Sequence, residues 1–142
     1  MQPEERNGVT LTENEREALH GVLTWLGSHP QPVLNWHAEQ SLGYPEYDER
    51  VHDVRRALSA KFWLHYEYVE VLRAVGSEGL FPPPDRIAEM KLEELCAAMT
   101  AFHRGERFAD GHMGRLIENG AALALVNRAL AFCEAFLGTS ST

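Results

Sequence analysis

The last helix is the sequence feature that most limits how this chain can fold. From residue 121 to 137, apolar side chains recur at helical spacing in two adjacent stripes. Together the stripes cover about half of the helix circumference, more than the ~100° of an ordinary surface helix. Such a helix lies at the centre of a core, or half in a core and half in a subunit interface. The stripes consist of Leu123, Val126, Leu130, Cys133 and Leu137 and, beside them, Leu125, Ala129, Phe132 and Phe136.

Earlier segments carry the same helical period. Thr12 and Glu15 form a capping-box pattern ahead of an apolar repeat that ends near Leu26. Residues 92–102 show the clearest amphipathic pattern, and residues 113–117 fit a short helix that Asp-Gly precedes and Asn-Gly ends. No Asn-Gly or Asp-Gly pair joins two alternating apolar runs. We therefore predict a single all-α domain of five or six helices packed around the C-terminal helix, with no sheet of three or more strands.

Two further segments need a separate interpretation of their secondary structure. Residues 62–72 are aromatic and β-branched, which favours a strand, but neither a partner strand nor a hairpin turn is nearby. We interpret them as helix, continuing one that begins near Tyr47 or Asp48. Residues 33–40 predict a short helical turn with Trp36 packed inward.

Composition limits the class of protein. The chain has 142 residues, 44% hydrophobic and 24% charged, and a formal net charge of −8. This size predicts one domain over 11–137, with a flexible N-terminus (1–10) and tail (138–142). An acidic chain without a Lys/Arg block has no general attraction to nucleic acid. With neither a signal peptide nor a membrane span in the sequence, we expect a cytoplasmic protein.

The two cysteines are expected to stay reduced. Cys96 and Cys133 both fall on apolar helix faces, where free thiols behave as small hydrophobic groups. The wide apolar face of the last helix also predicts a homodimer, because a large exposed apolar surface usually marks an interface.

Ionisable side chains are densest between residues 103 and 112. The forks of Arg104 and Arg107 suit carboxylate or phosphate, which makes these two residues the candidate ligand-binding groups. An internal Arg–Glu network that ties two helices together is the structural alternative. In a catalytic alternative, Glu106 or Asp110 is the base of a small lyase or hydrolase-like enzyme. His103 or His112 is then its proton shuttle, and the arginines clamp an anion.

Several other chemistries lack a motif here. The spacing of His103, Glu106, Asp110 and His112 matches no recognised zinc pattern, so no metal and no cofactor is expected. The sequence also contains no nucleophile elbow, P-loop or dinucleotide fingerprint. His65, flanked by aromatic residues, is expected to be a packed group with a satisfied hydrogen bond. We therefore expect the binding partner to be a small anionic ligand or another protein.

The run R-G-E-R-F-x-D-G at 104–111, followed by I-E-N-G at 117–120, resembles a small domain family of unknown function from prokaryotes and their phages. The resemblance covers roughly residues 48–137 and includes an upstream aromatic-rich helix with a tyrosine near Tyr66 or Tyr68. Members often have cysteine where this chain has Ala109. The resemblance implies a single domain with a signature at 104–111 and no known activity. We therefore expect a binding or interaction module, with the acid–base enzyme as the alternative.

Overall fold

Helices dominate the computed structural model, which describes residues 5–29, 34–36, 45–47, 49–75, 81–105 and 111–140. In this part of the chain each of the two sheets has only two antiparallel strands, and no sheet of three or more strands occurs. The all-α prediction is therefore confirmed. The helices are α1 (Glu13–Gly27), α2 (Glu49–Leu58), α3 (Tyr68–Ala74), α4 (Pro84–Ile87), α5 (Leu92–Arg104), α6 (His112–Glu118) and α7 (Ala121–Ser140). The strands are β1 (Glu5–Arg6), β2 (Val9–Thr10), β3 (Leu34–Trp36) and β4 (Pro45–Tyr47).

The first helix begins at the predicted capping box. The backbone N–H of Glu15 donates to the Thr12 hydroxyl at 3.1 Å, and the N–H of Thr12 donates to the Glu15 carboxylate at 2.9 Å. Two of the unpaired groups at the helix end are thereby satisfied. Leu19, Val22 and Leu26 are buried on one face, as their spacing predicts.

The last helix lies in the core. Helices α1, α4, α5 and α6 all pack against α7 and cover its apolar stripes from several sides. Its buried residues include Leu125, Val126, Ala129 and Leu130. Over the residues whose burial the structure describes, the chain itself covers most of both stripes, and Leu123 and Phe132 are only partly buried. The homodimer stays a prediction.

Both cysteines are free and buried, as expected. Burial raises the pKa of the Cys96 thiol to about 12 and that of the Cys133 thiol to about 11. Both groups are therefore neutral thiols near pH 7, which is the unreactive form.

The predicted long helix through residues 62–72 is wrong as a single element. Helix α2 ends at Leu58, a 3-10 turn covers Lys61–Trp63, and helix resumes only at Tyr68. The neighbours Phe62 and Trp63 are both fully buried, with ring centroids 4.8 Å apart in an edge-to-face contact. The 3-10 turn places both of these side chains in the core.

Two pairs of short antiparallel strands lie where the sequence analysis predicted a helical turn or a flexible segment. Residues 34–36 form a strand paired with 45–47, so the predicted helical turn at 33–40 is wrong there. The packing of the Trp36 side chain lies outside what the structure describes. Near the N-terminus, β1 and β2 form a hairpin within the segment predicted as flexible. Its turn residues Asn7 and Gly8 have φ angles of 56° and 75°, the positive values that a type I′ turn requires.

Helices α6 and α7 meet at an angle of 76°. The turn between them uses the predicted Asn119-Gly120 pair. Gly120 has a φ of 89°, and the Asn119 side chain accepts the N–H of Ala121 at 2.9 Å. No single described helix is long and apolar enough to cross a membrane, although the bent α6–α7 pair passes that test by length and composition.

Candidate functional site

The predicted cluster lies at the junction of α5 and α6. The structure describes its two ends, with His103, Arg104 and Gly105 closing α5 and His112 opening α6. Residues 106–110 lie outside the described residues, so the candidates Glu106, Arg107 and Asp110 lie there too. The roles proposed for these three residues, including the catalytic alternative, remain predictions.

His112 joins the two ends of the cluster. Its Nε2 lies 3.2 Å from the carbonyl oxygen of Ala101, and since a carbonyl only accepts, this nitrogen carries the hydrogen. The imidazole lies flush against Gly105, where an added Cβ would be 2.3 Å from Nε2. The ring also meets Phe81 edge to face, with centroids 6.1 Å apart. Position 105 therefore has no room for a side chain while His112 keeps this place.

Arg104 has a different environment. Its guanidinium carbon lies 5.8 Å from the centre of the Tyr68 ring, a distance typical of a cation–π contact. Within the part of the chain that the structure describes, no carboxylate or carbonyl accepts a hydrogen bond from this guanidinium. The side chain is half-buried, so the ring holds the charge in place while the N–H donors keep their capacity to bind an acceptor.

The end of α5 favours positive charge. His103 and Arg104 occupy its last turn, where the partial negative charge of the helix end stabilises cations. Both His103 and His112 make further contacts within the protein, so neither is a free base. Over the described residues, no three His, Cys, Asp or Glu side chains are placed to hold a metal ion.

A second cluster, which the sequence analysis did not predict, lies at the other end of α5. Arg6 from β1 forms a two-pronged ion pair with Glu93, with Nη2 to Oε1 at 2.7 Å and Nε to Oε2 at 3.1 Å. Its Nη1 donates to the carbonyl oxygens of Phe62 and Leu64, the latter at 3.4 Å. The Arg6 side chain is 12% exposed, while that of Glu93 is 59% exposed.

His65 is held between Glu93 and the backbone. Its Nδ1 accepts the N–H of Glu67 at 3.1 Å, so the hydrogen of the neutral ring lies on Nε2, which points toward Glu93 Oε1 at 3.5 Å. Both ring nitrogens are engaged, which confirms the expected packed histidine. A metal at Nε2 would require moving that hydrogen to Nδ1 and breaking the contact with Glu67.

Thr100 ties this cluster to the core. It is fully buried, and its hydroxyl accepts the backbone N–H of His65 at 2.9 Å while donating to the Cys96 carbonyl at 2.8 Å. The Arg6 hydrogen bond lowers the pKa of the Glu93 carboxyl below its ordinary value and outweighs the opposing effect of partial burial. In this cluster nearly every charge meets an opposite charge or a hydrogen-bonding partner, which is the arrangement of a structural tie.

Two signals in the sequence point to this second cluster. Asn7-Gly8 is a pair typical of two-residue hairpin turns, and it lies beside Arg6. Thr100 is a polar residue one turn after Cys96 on an apolar helix face, where a buried hydroxyl needs a partner. Neither signal identifies Glu93 as the partner of Arg6, because 87 residues separate the two.

Comparison with known proteins places the chain in a family but gives no activity. No curated protein and no solved structure matches the chain. A model described as Family of unknown function (DUF6508) matches residues 24–135, which is more than half of the sequence and includes both ends of α5. The chain therefore belongs to this family of unknown function.

Proposed function

We propose that this chain is a binding module that holds a small anionic group at the C-terminal end of α5. The supporting observation is Arg104, a half-buried arginine seated on the Tyr68 ring with no described carboxylate at its guanidinium. A half-buried guanidinium group that makes no described hydrogen bond keeps its N–H donors available for an anion. A carboxylate or phosphate matches the planar fork of an arginine.

Neighbouring residues fit this proposal. His103 and His112 lie at the two ends of the segment dense in ionisable residues. In the sequence, Arg107 follows Arg104 by three residues. Over residues 103–112 the two arginines are balanced in number by Glu106 and Asp110, within a chain of net charge −8. An acidic protein repels long polyanions, so an arginine site on it favours a small anion.

Isothermal titration calorimetry with inorganic phosphate, pyrophosphate, citrate and adenosine monophosphate tests the proposal. At least one anion is expected to bind the wild type and to bind Arg104→Gln at least about tenfold more weakly, a loss of about 1.4 kcal/mol. Tyr68→Leu removes the ring that seats Arg104 and is expected to weaken binding, whereas Tyr68→Phe keeps the ring and the affinity.

Arg55→Gln is the matched control, because Arg55 is an exposed arginine on α2 that makes no described contact. This variant should bind as the wild type does. Equal affinities for Arg104→Gln and Arg55→Gln, or no binding of any of the four anions, would overturn the proposal. Native mass spectrometry of the purified protein then searches for the natural ligand.

A further inference from the structure

Four acceptor groups converge beside the N-terminal hairpin. The backbone carbonyls of Lys61, Phe62 and Leu64 point to the same place as the Glu93 carboxylate. All three carbonyls belong to the 3-10 turn or to the residue that follows it, and the carbonyl of Lys61 also accepts the N–H of Leu64 at 3.1 Å. The turn and the start of α5 therefore build a receptor for hydrogen-bond donors.

The hairpin fills this receptor with an arginine and an asparagine. Arg6 donates two bonds to Glu93 and others to the carbonyls of Phe62 and Leu64. The Asn7 amide donates to the carbonyls of Lys61 and Leu64 at 2.8 Å each. The Arg6 guanidinium carbon also lies 5.9 Å from the centre of the Phe62 ring.

The receptor is selective for a guanidinium group. One planar fork reaches both carboxylate oxygens of Glu93, while a third nitrogen reaches the carbonyls of the turn and the Phe62 ring packs against the charge. A lysine ammonium is a point charge and does not present donors in two directions at this spacing. The chemistry of the acceptors thus specifies arginine among the natural side chains.

Besides Arg6 and Asn7, the hairpin is held by Val9, which packs partly buried against the core, and by the buried Leu11 that follows β2. The strands of the hairpin have two residues each, and an isolated hairpin of this kind is at best marginally stable. An open cavity of about 180 Å³ borders the contact, lined by Arg6 and Asn7 on one side and by Leu64, His65 and Glu93 on the other. Water therefore reaches the contact between Arg6 and Glu93.

The receptor and its occupant also differ in their relation to the family. Residues 61–64 and Glu93 lie within the matched segment 24–135, whereas the hairpin at 5–10 lies before it. The part of the chain that defines the family thus carries the receptor, and a neighbouring segment supplies the arginine. A tethered segment of this kind competes with external ligands through its high effective concentration.

We propose that the turn at 61–64 and Glu93 form an arginine-binding site, which Arg6 occupies within the same chain and which an arginine beside a turn on a partner protein occupies when the hairpin is displaced. The hairpin is then an autoinhibitory segment of a protein-interaction site. This site lies at the opposite end of α5 from Arg104, so the proposal is independent of the anion-binding function.

The test uses the full chain carrying Arg6→Ala, which removes the guanidinium group from the receptor. The probe is a capped fluorescent peptide with the sequence of residues 3–10, and binding is measured by fluorescence anisotropy. The peptide is expected to bind Arg6→Ala at least about tenfold more tightly than the wild type, whose receptor is filled. A peptide with citrulline in place of arginine, which keeps the shape and loses the charge, should not bind.

Three further variants make the result specific. Adding Glu93→Gln to Arg6→Ala should abolish binding, because it removes the carboxylate of the receptor. Arg55→Ala, an arginine change on another helix, should leave the peptide excluded as in the wild type. Arg104→Gln in the Arg6→Ala background should not change peptide affinity, which separates this result from the anion test.

Two outcomes would overturn the proposal of an arginine-binding site. If Arg6→Ala keeps its helical circular dichroism and binds neither peptide, or binds both equally, Arg6 is only a structural tie. If Arg6→Ala does not fold, Arg6→Gln replaces it, since this milder change also removes the guanidinium group from the receptor. Absence of arginine-dependent binding to folded Arg6→Gln overturns the proposal.

Discussion

The two ends of α5 each hold an arginine, but in opposite circumstances. At the N-terminal end, Arg6 meets the Glu93 carboxylate and two backbone carbonyls. At the C-terminal end, Arg104 meets the Tyr68 ring and no described acceptor. The same side chain is thus satisfied in one place and left with spare donors in the other.

A structural arginine and a candidate binding arginine differ in how much their contacts contribute to the stability of the fold. The energy of a charged hydrogen bond to a satisfied partner, about 1.5–3 kcal/mol, is already part of the folding free energy. An arginine on a ring contributes less, about 0.5–1 kcal/mol at an exposed site, and its donors remain for a ligand. Stability measurements therefore distinguish the two ends of α5.

The largest effect is expected at the junction itself. Gly105→Ala places a Cβ 2.3 Å from His112 Nε2, so the imidazole must move away and lose its bond to Ala101. We expect a loss of about 3 kcal/mol in the free energy of unfolding, the upper part of the range for overpacking. Urea denaturation followed by circular dichroism measures it.

Gly21→Ala is the matched control. An added Cβ there meets nothing within 4 Å, and the position lies inside α1. This change is expected to stabilise the protein by about 0.5–1 kcal/mol through helix propensity. Gly105→Ala combined with His112→Ala should recover part of the loss, and a double variant as unstable as the sum of both changes would contradict the described packing.

The second effect compares the two arginines directly. Arg6→Ala is expected to cost about 2 kcal/mol, because it leaves Glu93 and the turn carbonyls without their donor. Arg104→Ala is expected to cost no more than about 1 kcal/mol, the value of a cation–π contact. Thermal denaturation of both variants under identical conditions tests this order, and equal losses would remove the distinction between the two ends.

The third effect concerns the buried hydroxyl between the ends. Thr100→Val keeps the shape of the side chain but leaves the N–H of His65 without its acceptor. We expect a loss of about 1.5 kcal/mol, within the range for an unpaired polar group. Thr100→Ser keeps the hydroxyl and its hydrogen bond to His65, so it should lose less stability than Thr100→Val. Chemical denaturation of the two variants gives the comparison, and a fully stable Thr100→Val would contradict the role of the hydroxyl.

The smallest effect is the pH dependence at the N-terminal end. The pKa of Glu93 is lower in the folded protein than its ordinary value, so the ion pair stabilises the fold above the unfolded pKa. That stability is lost as the pH falls through the lowered folded pKa. Because Glu93 is largely exposed, we expect the contribution to stay below about 1 kcal/mol.

Denaturation midpoints between about pH 6 and pH 3, a range that spans the ordinary pKa of a glutamate, measure this contribution. The wild type should lose more stability over this range than Glu93→Gln does. Parallel curves for the two proteins would show that Glu93 adds nothing to the acid sensitivity of the fold.

The helices could be predicted where the sequence carries its own boundary signals. The capping box at Thr12 and Glu15 and the Asn119-Gly120 turn all act within a few residues of the helix ends that they set. The break between α2 and α3 could not be predicted in this way. Phe62 and Trp63 lie buried in a 3-10 turn that packs against α5, a helix distant in the sequence.

The candidate site could be predicted only in part. The density of ionisable residues identified the end of α5, and the structure gives the environments of Arg104 and His112 there. The partner of Arg104 is a ring from α3, which no local pattern indicates. The Arg6–Glu93 pair escaped prediction for the same reason, since both residues look like ordinary surface charges in the sequence.

Patterns in the sequence were enough to predict the helical class of this protein, the core position of its last helix and its free, buried cysteines. These properties follow from side-chain periodicity and composition, which act over a few turns of chain. Which arginine is satisfied and which keeps spare donors depends instead on the tertiary structure. That outcome depends on acceptors brought together from distant parts of the chain, because a charged side chain has the same local signature in both cases.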